Sequence, residues 1–200
     1  MKMRRMLFGA EHPNTLNSMG NLGITFWTQG RWNEAEQLQV QVMEMRKKLL
    51  GAEHSDTFTS MEDIAITYRT QGRWDEAEQL QVKVMEMRKK LLGAGHLDTL
   101  TGMANLAITH CIQGRWSDAE QLQFKVMEMR KKLLGAEHPD TLTSMANLSS
   151  TYRNQRRWNE AQQMEVQVME MRKNLLGAEH PDTLTSMANL ASIYGDQGID

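Results

Sequence analysis

Leu142, Met145, Leu148 and Tyr152 fall at relative positions 0, 3, 6 and 10, a spacing that lays them along one stripe of an α-helix. The segment opens at His-Pro-Asp-Thr (138–141). Pro suits a first helical turn because its missing N–H would have no partner there, and Asp favours the positive end of the helix dipole. The pattern predicts a helix to about Gln155 and a copy of it reaching about Gln197. A second kind of segment, from about Trp32 to Leu50, carries two stripes: Ala35, Leu38, Val42, Met45 and Leu49 on one side, Val40, Met43 and Leu50 on the other. Glu34 and Glu36 near its start and Arg46-Lys47-Lys48 at its end match the dipole. A helix that is apolar on two sides needs two neighbours, which stacking of successive helix pairs provides. Gln-Gly-Arg at 29–31, 71–73 and 113–115 separates the two kinds of helix, Gly being the residue that takes a left-handed cap cheaply. Arg156 stands in place of that Gly in the next copy and predicts a strained or slightly altered turn.

The helix pair recurs. His12, His54, His96, His138 and His180 stand 42 residues apart, as do Trp32, Trp74, Trp116 and Trp158. Val-Met-Glu-Met-Arg-Lys returns at 42–47, 84–89, 126–131 and 168–173, so one unit is repeated. The expected organisation is a partial second helix over 1–11, repeats at 12–53, 54–95, 96–137 and 138–179, and the first helix of an incomplete repeat at 180–200. Ile199-Asp200 stand where Arg-Trp would open a further second helix. No polar cap is visible at either end, which predicts sticky or frayed ends, a segment of a longer array, or self-association through those ends.

Composition changes this picture little. Leu, Ile, Val and Phe make up just under a fifth of the 200 residues, a level that weakens the case for one central core. Seventeen Met fill the shortfall, and stacked pairs need only short interfaces. The formal charge of -2 supports neither a nucleic-acid groove nor a polybasic membrane anchor. A single Cys111 forms no internal disulfide, and no apolar run approaches the ~18 residues of a membrane span. These features lead us to expect a cytoplasmic chain with protein partners, no nucleic acid, no membrane and no cofactor.

Asn-Leu-Ala-x-x-Tyr-x-x-Gln-Gly at 189–198, Gln-Gly-Arg-Trp-x-x-Ala-Glu at 113–120 and Leu-Gly-x-x-His-Pro-Asp-Thr between units resemble the tetratricopeptide repeat. The 42-residue version is similar to the kinesin light chain subclass, and more so to the tandem repeats of fungal NOD-like receptor proteins. No Gly-x-x-x-x-Gly-Lys-Ser/Thr phosphate loop accompanies them. The resemblance implies an all-α, right-handed superhelical solenoid of antiparallel helix pairs, whose concave surface of first helices grips an extended peptide or partner domain. It implies an Asn before the Leu-Ala pair and an Arg after the Tyr as peptide-holding residues. The Asn is present as Asn21, Asn105, Asn147 and Asn189, with Asp63 in the second unit. The Arg is present only as Arg69 and Arg153, while Trp27, Cys111 and Gly195 occupy the matching places. Ile66, Ile108 and Ser150 join this candidate face. The family's second-helix aromatic is replaced by Gln39, Gln81, Gln123 and Glu165, and Val40, Val82, Phe124 and Val166 are expected to take over part of its packing.

Other constellations have plainer readings. The repeated His are helix-entry residues, because units spaced by roughly 10 Å cannot share an ion held by ~2 Å bonds. His110 and Cys111, as neighbours on a helix, point about 100° apart and make a poor nucleophile–base pair. The Trp ladder and half of the Met positions are expected in the core, and the Arg-Lys-Lys ends as a solvated ridge. Asn147-Leu148-Ser149 fits a glycosylation sequon but falls mid-helix. Two readings of the Asn ladder stay open: inter-helix hydrogen bonding, or an amide that donates to and accepts from a peptide backbone. The units agree closely in the second helix yet differ at 20, 24 and 27 and at their counterparts further on. That variation suits a non-catalytic binding scaffold, with self-assembly through the array ends as the alternative.

Overall fold

The computed structural model describes residue 9 and residues 11–198. Most of the partial helix expected over 1–11, and Ile199-Asp200, lie outside them. The described residues form nine α-helices and no strand: α1 (Pro13–Thr28), α2 (Trp32–Leu50), α3 (Ser55–Thr70), α4 (Trp74–Leu92), α5 (Leu97–Ile112), α6 (Trp116–Leu134), α7 (Pro139–Asn154), α8 (Trp158–Leu176) and α9 (Pro181–Gln197). Odd-numbered members are the first helices and even-numbered members the second helices of an all-α repeat fold. The chain divides into two compact units, Met1–Leu91 and Leu92–Asp200.

Each first helix begins on its histidine. The Nδ1 of His12, His54, His96, His138 and His180 accepts the backbone N–H two residues on, at 3.1–3.2 Å. One otherwise unpaired amide per helix is satisfied in this way. The helix-entry role expected of these residues is what they perform.

Each first helix ends on a left-handed residue: Gly30, Gly72, Gly114 and Gly198, with φ of 75°, 80°, 75° and 71°, and Arg156 with φ of 61°. The turn at Arg156 is otherwise the same, since Arg157 N–H donates to Tyr152 O at 2.9 Å as Arg73 N–H does to Tyr68 O. The backbone strain expected there is present, without a change of geometry. The arginine after this turn braces both helices. Arg73 stacks 3.8 Å from the Tyr68 ring and pairs with Glu76 and Glu36, and Arg157 repeats this with Tyr152, Glu160 and Glu120.

In the first unit Leu16, Met19 and Val42 form one buried cluster and Phe58, Met61 and Val84 another. In the second unit Met127, Leu142, Met145, Ala146, Leu148 and Val168 pack together, with Tyr152 at their edge. The first-helix stripe read from the sequence is therefore a core stripe. Several second-helix expectations are corrected. Trp32 and Trp74 are 40% and 42% exposed, because Ala35 and Ala77, fully buried one turn on, let the helices approach too closely to admit an indole. Leu49 and Leu50 are exposed as well. Of the eight Met in the repeated Val-Met-Glu-Met-Arg-Lys phrase only Met127 is buried, and Met45, Met87, Met129 and Met171 on the expected core stripe are half-buried.

The substituted aromatic position is corrected too. Val82 and Phe124 face solvent, and the polar residues before them are buried. Thr67 Oγ1 donates to Gln39 Oε1 at 2.7 Å, and Thr151 Oγ1 to Gln123 Oε1 at 2.6 Å. A second helix is thus tied to the next first helix by a buried polar pair. In the last pair both partners change: Ile193 stands where Thr would be, Glu165 where Gln would be, and Asn189 donates to Glu165 Oε1 at 3.3 Å.

The ridge of basic residues is only half solvated. Its lysines are exposed, but the arginines turn inward. Arg46 donates through Nη1 to Asp56 O (3.1 Å) and Ser60 Oγ (2.9 Å), and through Nη2 to Asn17 Oδ1 (2.7 Å). Arg130 repeats this with Asp140 O, Ser144 Oγ and Thr101 Oγ1. Arg172 does so with Asp182 O and Ser186 Oγ. Arg88 is bidentate on Glu62, at 2.5 and 2.8 Å.

Candidate functional site

The candidate residues lie on the first helices, three or six apart, so those of one helix share a face. In the first unit Trp27, Asp63 and Ile66 come together around a cavity of about 200 Å³ between α1 and α3, closed by Ile24, Gln39 and Thr67. The Trp27 indole N–H donates to Thr70 Oγ1 at 3.1 Å, which fixes the ring against α3. Asn21 is exposed and does not line the cavity. Arg69, one helix turn beyond Ile66, also lies outside it. Its Nη1 is buried with no hydrogen-bond partner, and burial holds the guanidinium below its ordinary basicity.

In the second unit Asn105, Ile108 and Asn147 are half-buried and Ser150 is exposed. Arg153 lies 3.6 Å from the Asp196 carboxylate in a partly exposed ion pair. Asn189 is engaged with Glu165, the inter-helix alternative for the ladder realised at that one position. Burial pushes the Glu165 carboxyl upward against that hydrogen bond. The Cys111 thiol is pushed up chiefly by burial, with Thr151 Oγ1 at 3.3 Å and Gln123 Nε2 at 3.7 Å opposing. A thiol so held is a structural residue.

Gln39 and Thr67 were absent from the candidate face. A signal existed: Thr25, Thr67, Thr109 and Thr151 keep the 42-residue register, and Gln39, Gln81 and Gln123 keep it with them. A polar pair recurring at core-facing positions points to a hydrogen bond rather than a lost aromatic.

The tetratricopeptide repeat model matches residues 1–48, 28–90, 56–132 and 98–174, and the chain belongs to that family. Among solved structures it is similar to a kinesin light chain with nearly identical TPR-like repeats from Podosopora anserina, at 30% identity over 94% of this chain and 89% of that one, with a TM-score of 0.79. BtubC (BKLC) from P. vanneervenii aligns over 99% of this chain and 80% of its own at 19% identity and a TM-score of 0.81. The apo form of RapI aligns over 90% and 48% at 10% identity and a TM-score of 0.70. The last two share the fold alone. No curated protein matches the chain. Among the described residues no helix is long and apolar enough to cross a membrane.

Asp63 is the electrostatically unusual member of the face. Burial pushes its carboxyl up to about 6, with Glu62 adding to the shift and Arg46 opposing it. Arg88, from α4, is spent on Glu62. The folded value lies above the ordinary carboxylate range, so the folded chain holds the extra proton and loses stability as pH rises through that window to about 6. Asp63→Asn removes this loss. Its melting temperature is expected to exceed that of the parent at pH 7.5, and the two should converge below pH ~4, where both states of the parent are protonated. Melting curves across that range check the sign.

Proposed function

We propose that the chain is a non-catalytic scaffold that grips an extended peptide or partner domain on the face of its first helices. One observation carries this reading: the frame is constant and the face is not. Ala35, Ala77, Ala119 and Ala161, with Val42, Val84, Val126 and Val168, are buried in every second helix. Residues 27, 69, 111, 153 and 195 are Trp, Arg, Cys, Arg and Gly at one repeat position. Tetratricopeptide repeats generally mediate protein–protein contacts, and a varied surface on a fixed frame suits recognition of one partner along several units. Asn105 and Asn147, each able to donate and accept, suit the backbone of an extended chain. The setting we favour is the cytoplasm, with the array as the recognition segment of a larger adaptor or of a receptor like the fungal NOD-like proteins. The double variant Asn105→Ala, Asn147→Ala is expected to lose peptide capture on an immobilised peptide array while its circular dichroism spectrum is unaltered. Undiminished capture would remove the ladder from the binding role.

A further inference from the structure

Two departures from the repeat meet in one place. Trp27 is the sole Trp among residues 27, 69, 111, 153 and 195, and Asp63 is the sole acid among residues 21, 63, 105, 147 and 189. They lie on different helices, α1 and α3, and line the same cavity. We propose that this cavity receives one arginine side chain of an extended partner peptide, its aliphatic stem between Ile24 and Ile66 and its guanidinium on the Asp63 carboxylate beside the Trp27 ring. This deepens the reading of the first-helix face as a binding surface and rests on it.

Size, charge and shape each narrow the occupant. About 200 Å³ is below the roughly 300–1,000 Å³ of pockets that hold drug-sized molecules, so one side chain is the fitting cargo. Two other polar groups of the wall are occupied within the fold: Gln39 Oε1 accepts from Thr67, and the Trp27 indole N–H is spent on Thr70. The Asp63 carboxylate accepts no hydrogen bond among the described residues and is left half-buried. Arg46, the cation whose charge acts on Asp63, is committed to Asp56, Ser60 and Asn17. Burial has already raised the carboxyl to about 6, a penalty that a bound cation relieves. Arginine matches the lining in full: its planar fork bonds a carboxylate on two sides, stacks on an indole face and loses little hydration on entry.

The test is a two-dimensional amide NMR titration of the full chain at pH 7.5 with acetyl-Ala-Ala-Arg-Ala-Ala-amide and with the same peptide carrying citrulline, which keeps the shape and removes the charge. Saturable shifts at the Trp27 indole and the Ile24, Asp63 and Ile66 amides are expected with arginine, and at least tenfold weaker binding with citrulline. Asp63→Asn, an asparagine already native at the four equivalent positions, should show the same tenfold loss with an unchanged spectrum elsewhere. Equal binding of the two peptides, full arginine binding by Asp63→Asn, or no shift at the cavity would each overturn the proposal. Shifts confined to Asn105 and Asn147 would overturn it while leaving the first-helix face as the binding surface.

Discussion

A guanidinium removed from water must be hydrogen-bonded, because an uncompensated buried charge costs several kcal/mol. Half-buried Arg46 and buried Arg130 and Arg172 meet it through their Nη1 groups at the start of the following first helix. Each donates through Nη1 to a backbone carbonyl and to a serine hydroxyl four residues on. The serine itself donates to the same carbonyl in two of these cases, Ser60 to Asp56 O and Ser144 to Asp140 O. The result is a small closed network rather than a single contact, and its geometry admits one rotation and one height of the incoming helix. Apolar stripes of Met, Leu and Ala are permissive about register. The arginine is not, and it sets how α2, α6 and α8 each meet the first helix that follows.

The buried amides act in the same sense further along the pair. Gln39 with Thr67, and Gln123 with Thr151, place a polar bond where a purely apolar seam could slide. With the frame fixed in this way, the first-helix positions between these pegs are released from a structural duty. They carry Trp, Arg or Gly, Ile or Ser, without disturbing the stack. Asp63 shows what that freedom permits. Asn would sit there without a desolvated charge, and the fold retains the acid beside the one indole on that face. A group that weakens the frame and faces a cavity is better explained by a ligand than by packing.

Most of the frame was legible in the sequence, and the reasons are local. Histidine, proline and aspartate at one helix end and glycine at the other are signals whose physics does not depend on distant residues, so the helix limits Trp32–Leu50 and Pro139–Asn154 could be anticipated closely. The errors arose where a side chain's fate is set by what lies across an interface. Tryptophan reads as core by size, yet Ala35 and Ala77 draw the backbones together and leave Trp32 and Trp74 at the surface. Arg130 and Arg172 read as surface by charge, yet a carbonyl and a hydroxyl await them on another helix. Of the candidate face, the helix and the register could be foreseen, since spacing places Trp27, Asp63 and Ile66 on first helices. That these three close around a single cavity, while Arg69 lies outside it and Arg153 faces Asp196, depends on the packing of neighbouring helices, which periodicity does not encode.

The claim on which this account turns is that buried arginine pegs, and not apolar burial alone, hold successive helix pairs in register. A double-mutant cycle at Arg130 and Ser144, with Arg130→Met and Ser144→Ala measured singly and together by urea unfolding, isolates that term. The account predicts a coupling of about 1 kcal/mol or more, within the range of contacting pairs in one network. Additive effects, with no coupling beyond about 0.3 kcal/mol, would contradict it.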